Sequence, residues 1–162
     1  MKTVTIHTDF GDMNLEFFPD KAPDHVANFI ELAETGFYDG RKFHRIIDGF
    51  MIQGGCPRGD GMGNGPRRLK AEFNDTPHVL GTLSMARAAD PNSASCQFFI
   101  CLDDADFLNG QYTAFGRIAD DASLEVLKKI GQVPVTDSGT GEKSTPVKDV
   151  IIKRVTVQET AE

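Results

Sequence analysis

The sequence has no tryptophan and only two tyrosines against twelve phenylalanines. A buried tryptophan or tyrosine brings a polar group that must find a partner, and phenylalanine does not, so a phenylalanine-rich core is expected. Cysteine is scarce. Cys56, Cys96 and Cys101 are odd in number and show no CxxC spacing, which argues against a disulfide framework and for free thiols in a reducing compartment. His7, His25, His44 and His78 are scattered without i, i+4 pairing, and neither a metal nor another cofactor is expected. No apolar run approaches the roughly 20 residues that span a bilayer, and residues 1–6 alternate like a strand instead of opening a signal-peptide core. No membrane partner and a cytoplasmic location are the corresponding expectations. Positive charge is also short, with 17 Lys and Arg against 24 Asp and Glu and a formal charge of −7. That surface repels phosphate backbones, so nucleic acid is not an expected partner. The one basic run, Arg67-Arg68-Leu69-Lys70, reads as a solvated loop.

What is present fits one domain over residues 1–162, long enough to bury roughly two-thirds of its unfolded surface. Residues 3–8 and 13–18 alternate around Asp9-Phe10-Gly11-Asp12 and predict a hairpin. Ala22, Val26, Phe29, Ile30 and Ala33 share a helix face, with Pro23 in the first turn and Gly36 past the end, which predicts a helix over 23–35. Short strands are expected at 82–86, 97–101, 113–118 and 149–157, a brief extended piece at 71–73, and a second helix over 122–130. Residues 54–65 are too glycine-rich for regular structure. They lack the Gly-Lys-Ser/Thr of a phosphate-cradling loop and predict a long ordered loop. Residues 132–146, with two glycines and two prolines, read as a mobile loop. About eight short strands, two helices and no βαβ alternation predict a mainly β fold: a closed eight-stranded antiparallel barrel with a helix over each open end.

The chain is organised around residues 43–55, Phe-His-Arg-Ile-Ile-Asp-Gly-Phe-Met-Ile-Gln-Gly-Gly. As two extended runs about Asp48-Gly49, alternation sends Phe43, Arg45 and Ile47 to one face and His44 and Ile46 to the other. Arg45 then lies among apolar neighbours, with Phe50, Met51 and Gln53 close by. Two readings fit: a surface arginine in a salt bridge, or the single charged tool of an apolar pocket.

Phe43-His44-Arg45, residues 49–55 (Gly-Phe-Met-Ile-Gln-Gly-Gly), Ser84-Met85-Ala86 and residues 95–100 (Ser-Cys-Gln-Phe-Phe-Ile) shift the balance toward the second. In this order they resemble the signature segments of the cyclophilins, peptidyl-prolyl cis/trans isomerases, and the single-domain bacterial branch most. The resemblance runs from the first hairpin to Val157. It implies the barrel architecture and a role in protein folding, with proline-containing peptides and unfolded or folding proteins as partners. It also implies Arg45 as the group that stabilises the twisted prolyl amide. Gln53 would orient Arg45 or bind substrate backbone, and Phe50, Met51, Phe99 and Leu108 would wall the proline ring. Gln97 would give support from beside Phe99, Gly61 would approach the bound peptide, Ala86, Arg87 and Ala88 would offer main-chain groups, and His44 would be a pocket-rim or structural residue. In the acidic loop, Phe107 and Leu108 are a groove wall by resemblance, or a small satellite core by composition alone. Where the vertebrate cytosolic pattern has tryptophan and histidine, this chain has Phe107 and Tyr112. Binding of cyclosporin-type cyclic peptides is therefore expected to be weak. A monomer is expected, since no heptad or exposed apolar helix asks for a partner. The competing functions are a proline-segment holdase without turnover and a small-molecule barrel carrier, which requires a cavity inside the barrel.

Overall fold

A computed structural model of the chain describes residues 2–159; Met1 and residues 160–162, which the single-domain expectation includes, lie outside them. The hairpin forms as β1 (Lys2–Thr8) and β2 (Gly11–Phe17), and its inward residues Val4, Ile6, Met13 and Leu15 are fully buried. Helix α1 (Pro23–Glu34) follows and buries Val26, Phe29, Leu32 and Ala33. Ala22 gives it no side-chain cap. The Glu72 carboxylate does so from across the fold, accepting the Asp24 and His25 backbone N–H groups at 3.3 and 2.9 Å. That is why residues 71–73, expected to be extended, form no strand: they run over the helix N-terminus.

β3 (Arg45–Ile47) and β4 (Met51–Gly54) turn about Gly49, whose φ of +77° lies in the left-handed region that glycine tolerates. Then come β5 (Thr82–Met85), β6 (Phe98–Cys101) and β7 (Ala114–Ile118). Helix α2 (Asp121–Gly131) is next, with the Asp120 carboxylate accepting the Ser123 N–H at 2.8 Å as its N-cap and Lys128 and Lys129 in its last turn. The final strand, β10 (Ile152–Glu159), lies beside the first. The antiparallel order is β10-β1-β2-β7-β5-β6-β4-β3. At Gly116 the chains are so close that a Cβ would sit 2.5 Å from the Glu16 carbonyl oxygen.

Two expectations are corrected here. The barrel is not fully closed: edge strands β3 and β10 do not pair along their length. A stitch at Lys42–Ile151 spans the gap, with the Phe43 N–H donating to Val150 O at 2.9 Å and Ile152 N–H to Arg41 O at 2.6 Å. Residues 132–146 are not a mobile loop either. They form a separate ribbon, β8 (Val135–Asp137) and β9 (Lys143–Pro146), whose tip is tied by Asp137 accepting the Gly139 N–H at 2.7 Å. In the basic run, Arg67 and Arg68 pair with Glu31 and Asp90, but Leu69 is buried in a bridge to Ala94.

The phenylalanine-rich interior is observed. The Phe29 ring packs against Phe17, Tyr38, Phe98 and Phe115 at centroid separations of 5.0–5.7 Å. Rings at that spacing fill the barrel, which removes the basis of the carrier reading. No helix among the described residues is long and apolar enough to cross a membrane.

Candidate active site

The site follows from strand register. Across the sheet, Ile46 pairs with Ile52, Ile52 with Ile100 and Ile100 with Leu83, and all four side chains are fully buried in the barrel. The neighbouring row must therefore face outward. It reads Arg45–Gln53–Phe99–Ser84, with Ile47–Met51–Cys101 two residues along on the same face. Phe43 does not join it. The segment leaves the β3 ladder to make the stitch at Lys42, and this reverses the alternation: Phe43 packs in the core against Phe98 at 5.9 Å.

The outward rows form a second, smaller apolar cluster. Met51, Phe99, Cys101, Ala105 and Leu108 are buried in it, and Ile47, Phe50, Ala86 and Tyr112 are partly buried around it. They enclose a hollow of about 150 Å³ lined by Arg45, Phe50, Met51, Gln53, Ala86, Arg87, Phe99, Leu108 and Tyr112. A void of that order accepts a benzene-sized ring. Leu108 comes from a 3₁₀ turn, Asp106–Leu108, and is 6% exposed. Phe107 is not a wall: at 70% exposure it stands on the outer rim, its ring 5.6 Å from that of Phe50.

Two larger hollows adjoin. One, of about 430 Å³, runs past Ala86, Arg87 and Ala88 to Gln97 and Gly61. The other, of about 550 Å³, lies on the far side of Arg45 and takes in His44, Gly61 and the β8–β9 ribbon. His44 thus lines the hollow on the far side of Arg45 and not the small one. Burial, with the Arg45 and Lys42 charges beside it, holds its pKa below the usual imidazole value. Gln53 lines all three hollows.

Arg45 donates through Nε and Nη2 to the two Glu142 carboxylate oxygens at 2.8 and 2.9 Å, and through Nη1 to Gln53 Oε1 at 3.1 Å. The pairing raises the Arg45 pKa further. The arginine of the sequence is therefore both things at once: half-exposed in an ion pair, and a wall of the apolar hollow. From Gln53 the relay continues, Nε2 donating to Gln97 Oε1 at 3.1 Å and Gln97 Nε2 to the carbonyls of Gly61 and Gly63 at 2.9 and 3.0 Å. Gln97 thus bears on Gln53 and the glycine loop. Phe99 stacks on His78 at 6.0 Å and meets Tyr112 edge-on at 5.7 Å. His78 is fixed by Asn109 Oδ1 at 3.0 Å and Ser84 Oγ at 2.9 Å, and burial keeps its pKa low. The Arg87 guanidinium lies 4.5 Å over the Tyr112 ring and donates to Gln111 O at 3.0 and 2.8 Å.

Glu142 and His78 are the residues that sequence reasoning missed. Neither carries a spacing signal: Glu142 lies 97 positions from Arg45. No group of three or more His, Cys, Asp or Glu side chains among the described residues is arranged to hold a metal. The chemistry available is the oriented Arg45 guanidinium at the lip of a hollow with apolar walls, with the Arg87 guanidinium held on Tyr112 and Gln111 at another side. No paired carboxylates or serine–histidine couple line that hollow to move a proton.

Residues 3–157 match the family described as cyclophilin type peptidyl-prolyl cis-trans isomerase/CLD. The peptidyl-prolyl cis-trans isomerase of Synechococcus elongatus is 47% identical, covering 80% of this chain and 89% of that protein. Peptidyl-prolyl cis-trans isomerase B of Escherichia coli is 41% identical over 96% of this chain and 99% of its own. Among solved structures, the cyclophilin type peptidyl-prolyl cis-trans isomerase of Cryptosporidium parvum in the presence of the dipeptide Ala-Pro superposes with a TM-score of 0.89. It is 34% identical and covers 98% of this chain and 99% of that one.

Proposed function

The chain belongs to the cyclophilin-type peptidyl-prolyl cis-trans isomerases, and on that premise we propose that Arg45 accelerates rotation about the bond before proline while the ring sits in the small hollow. The reaction's difficulty is resonance. The barrier is about 18–20 kcal/mol, and an uncatalysed flip takes roughly tens to hundreds of seconds. Twisting the amide makes the prolyl nitrogen pyramidal and returns its lone pair. A cationic donor fixed beside it therefore binds the twisted form better than the planar one.

Two Arg45 N–H vectors, one on each Nη, remain after the bonds to Gln53 and Glu142 are counted, and Arg45 lines the hollow. That is the observation that carries the proposal. An acceleration on the order of 10⁵ needs roughly 7 kcal/mol of differential stabilisation, more than one charge-assisted bond supplies. The rest is assigned to the apolar walls, which shed water from beside the guanidinium once the ring fills the hollow, and to clamping of the peptide on both sides of the bond. Met51, Phe99 and Leu108 hold the ring, with Phe50 and Tyr112 at its sides. The Ala86 N–H is taken by Gln97 O and the Ala88 N–H by Ser93 Oγ, which leaves the Arg87 main chain to pair with residues before proline in the long hollow beside Gly61.

The substrates are proline-containing peptides and folding chains, a reading supported by the Ala-Pro present with the Cryptosporidium relative. The protein acts as one monomeric domain in the cytoplasm and binds cyclosporin-type cyclic peptides weakly. Exchange spectroscopy on a short Ala-Pro-Phe-type peptide tests the mechanism. Wild type accelerates cis/trans exchange, and Arg45→Ala, still folded, largely loses it. Unchanged exchange in that variant removes Arg45 from its role, and acceleration absent from wild type favours the holdase.

A further inference from the structure

Arg45 is gripped from outside the short segments that carry the cyclophilin resemblance, by a residue 97 positions away. Glu142 sits on the β8–β9 ribbon and meets the guanidinium side-on through Nε and Nη2, while Gln53 holds Nη1. Gln53 alone fixes one point of a side chain with four rotatable bonds. Two further contacts on the opposite edge fix its plane. The ribbon is built to hold the carboxylate still, with the Ser138 N–H donating to Glu142 O at 2.8 Å, the Asp137 carboxylate tying the tip, and the buried Ser144 hydroxyl beside the carboxylate.

We propose that Glu142 is a positioning residue for the isomerisation: it locks the Arg45 guanidinium in the plane that turns its remaining N–H groups toward the prolyl nitrogen. This rests on the Arg45 reading given above. Both side chains are more than a third exposed, at 36% and 38%, so solvent screens the pair and even its bidentate geometry adds only modestly to folding. The contact is kept for its geometry. The carboxylate also stays ionised around neutral pH, because Arg45 and Ser144 bring the Glu142 pKa down to about 2. The guanidinium stays a donor throughout, since a carboxylate partner takes none of its protons.

The test uses the full chain and one proline peptide, with kcat and KM separated by exchange measurements. Glu142→Ala should lower kcat between about five- and fiftyfold, the range of a small misplacement of a catalytic group, and leave KM within about twofold. Glu142→Gln, which keeps one acceptor and the shape, should recover most of the loss. In an Arg45→Ala background, Glu142→Ala should change nothing further. The Arg45 Nε–H resonance should be sharp and slow to exchange in wild type, broaden in Glu142→Ala and return in Glu142→Gln. An unchanged or raised kcat in Glu142→Ala, with Arg45→Ala still inactive, overturns the positioning role and leaves the Arg45 mechanism standing. So does an equal loss in both backgrounds, which would mean that the ribbon matters for another reason. Full activity of Arg45→Ala overturns both.

Discussion

Replacing Gln97 by glutamate exchanges one nitrogen for one oxygen and reverses the polarity of the relay at its inner end. The relay has a forced direction. Arg45 can only donate, so Gln53 must offer it Oε1 and donate onward through Nε2; the carbonyls of Gly61 and Gly63 can only accept, so Gln97 must present both Nε2 hydrogens to them. Gln97→Glu removes both of those bonds and points a carboxylate at two carbonyl oxygens. At about 1 kcal/mol for each lost neutral bond, and with a half-buried side chain that can partly turn to water, the expected loss of stability is about 2 kcal/mol at pH 7.5. The new carboxyl, facing acceptors, must hold its proton more tightly in the folded state than in the unfolded one. Its deficit relative to wild type should shrink as pH falls toward 5, when the protonated acid donates again. Urea unfolding at pH 7.5 and 5.5 measures both numbers. Exchange kinetics should show KM rising, because the glycine loop beside the long hollow loses its tether. Wild-type stability at pH 7.5, or a deficit that grows on acidification, would refute the forced direction of the relay.

Other outcomes follow from the same structure. Phe98→Ala deletes a fully buried ring packed against Phe29, Tyr38 and Phe43 at 5.2, 5.4 and 5.9 Å. It should cost about 3–5 kcal/mol, whereas Phe107→Ala at the exposed rim should stay within about 0.5 kcal/mol of wild type; denaturant midpoints separate the two. Phe107→Trp adds an indole N–H at that rim and should tighten a cyclosporin-type peptide by about two- to twelvefold, the worth of one neutral hydrogen bond. Titration calorimetry showing no gain would count against this placement of residue 107. Burial holds the pKa values of His25, His44 and His78 below 6.5. The unfolded chain therefore takes up protons first, and stability should begin to fall as pH drops through about 6.5, before most carboxylates titrate. A urea midpoint flat from pH 8 to 5 would contradict this.

Much of the fold was legible because its signals are local. The Asp48-Gly49 turn fixes the pairing of Arg45 with Gln53, and period-two alternation then separates the inward isoleucines from the outward row. Both helices are punctuated locally, α1 by Pro23 and Gly36 and α2 by Asp120 and Lys128-Lys129, although the carboxylate that caps α1 comes from distant Glu72. The misplacements share one cause. Phe43 changes side because tertiary pairing with Val150 interrupts its strand, and nothing near Phe43 in sequence announces that partner. Glu142 stands in a glycine-rich stretch with no periodicity, and a 97-residue separation leaves only the finished fold to bring it to Arg45. Phe107 and Leu108 could be told apart only once the 3₁₀ turn set which of two adjacent side chains points inward.

The pairing of β1 with β10, Lys2 opposite Glu159 through Thr8 opposite Ile152, carries a cost during synthesis. On the ribosome, β1 emerges first and must wait for everything from Asp9 to Ile151 before its outer edge is covered. At the usual pace of about 5–20 residues per second, that leaves a bare strand edge for on the order of ten seconds. An enzyme of the prolyl-isomerase family is itself, while being made, a chain whose unpaired strand edge is open to its neighbours.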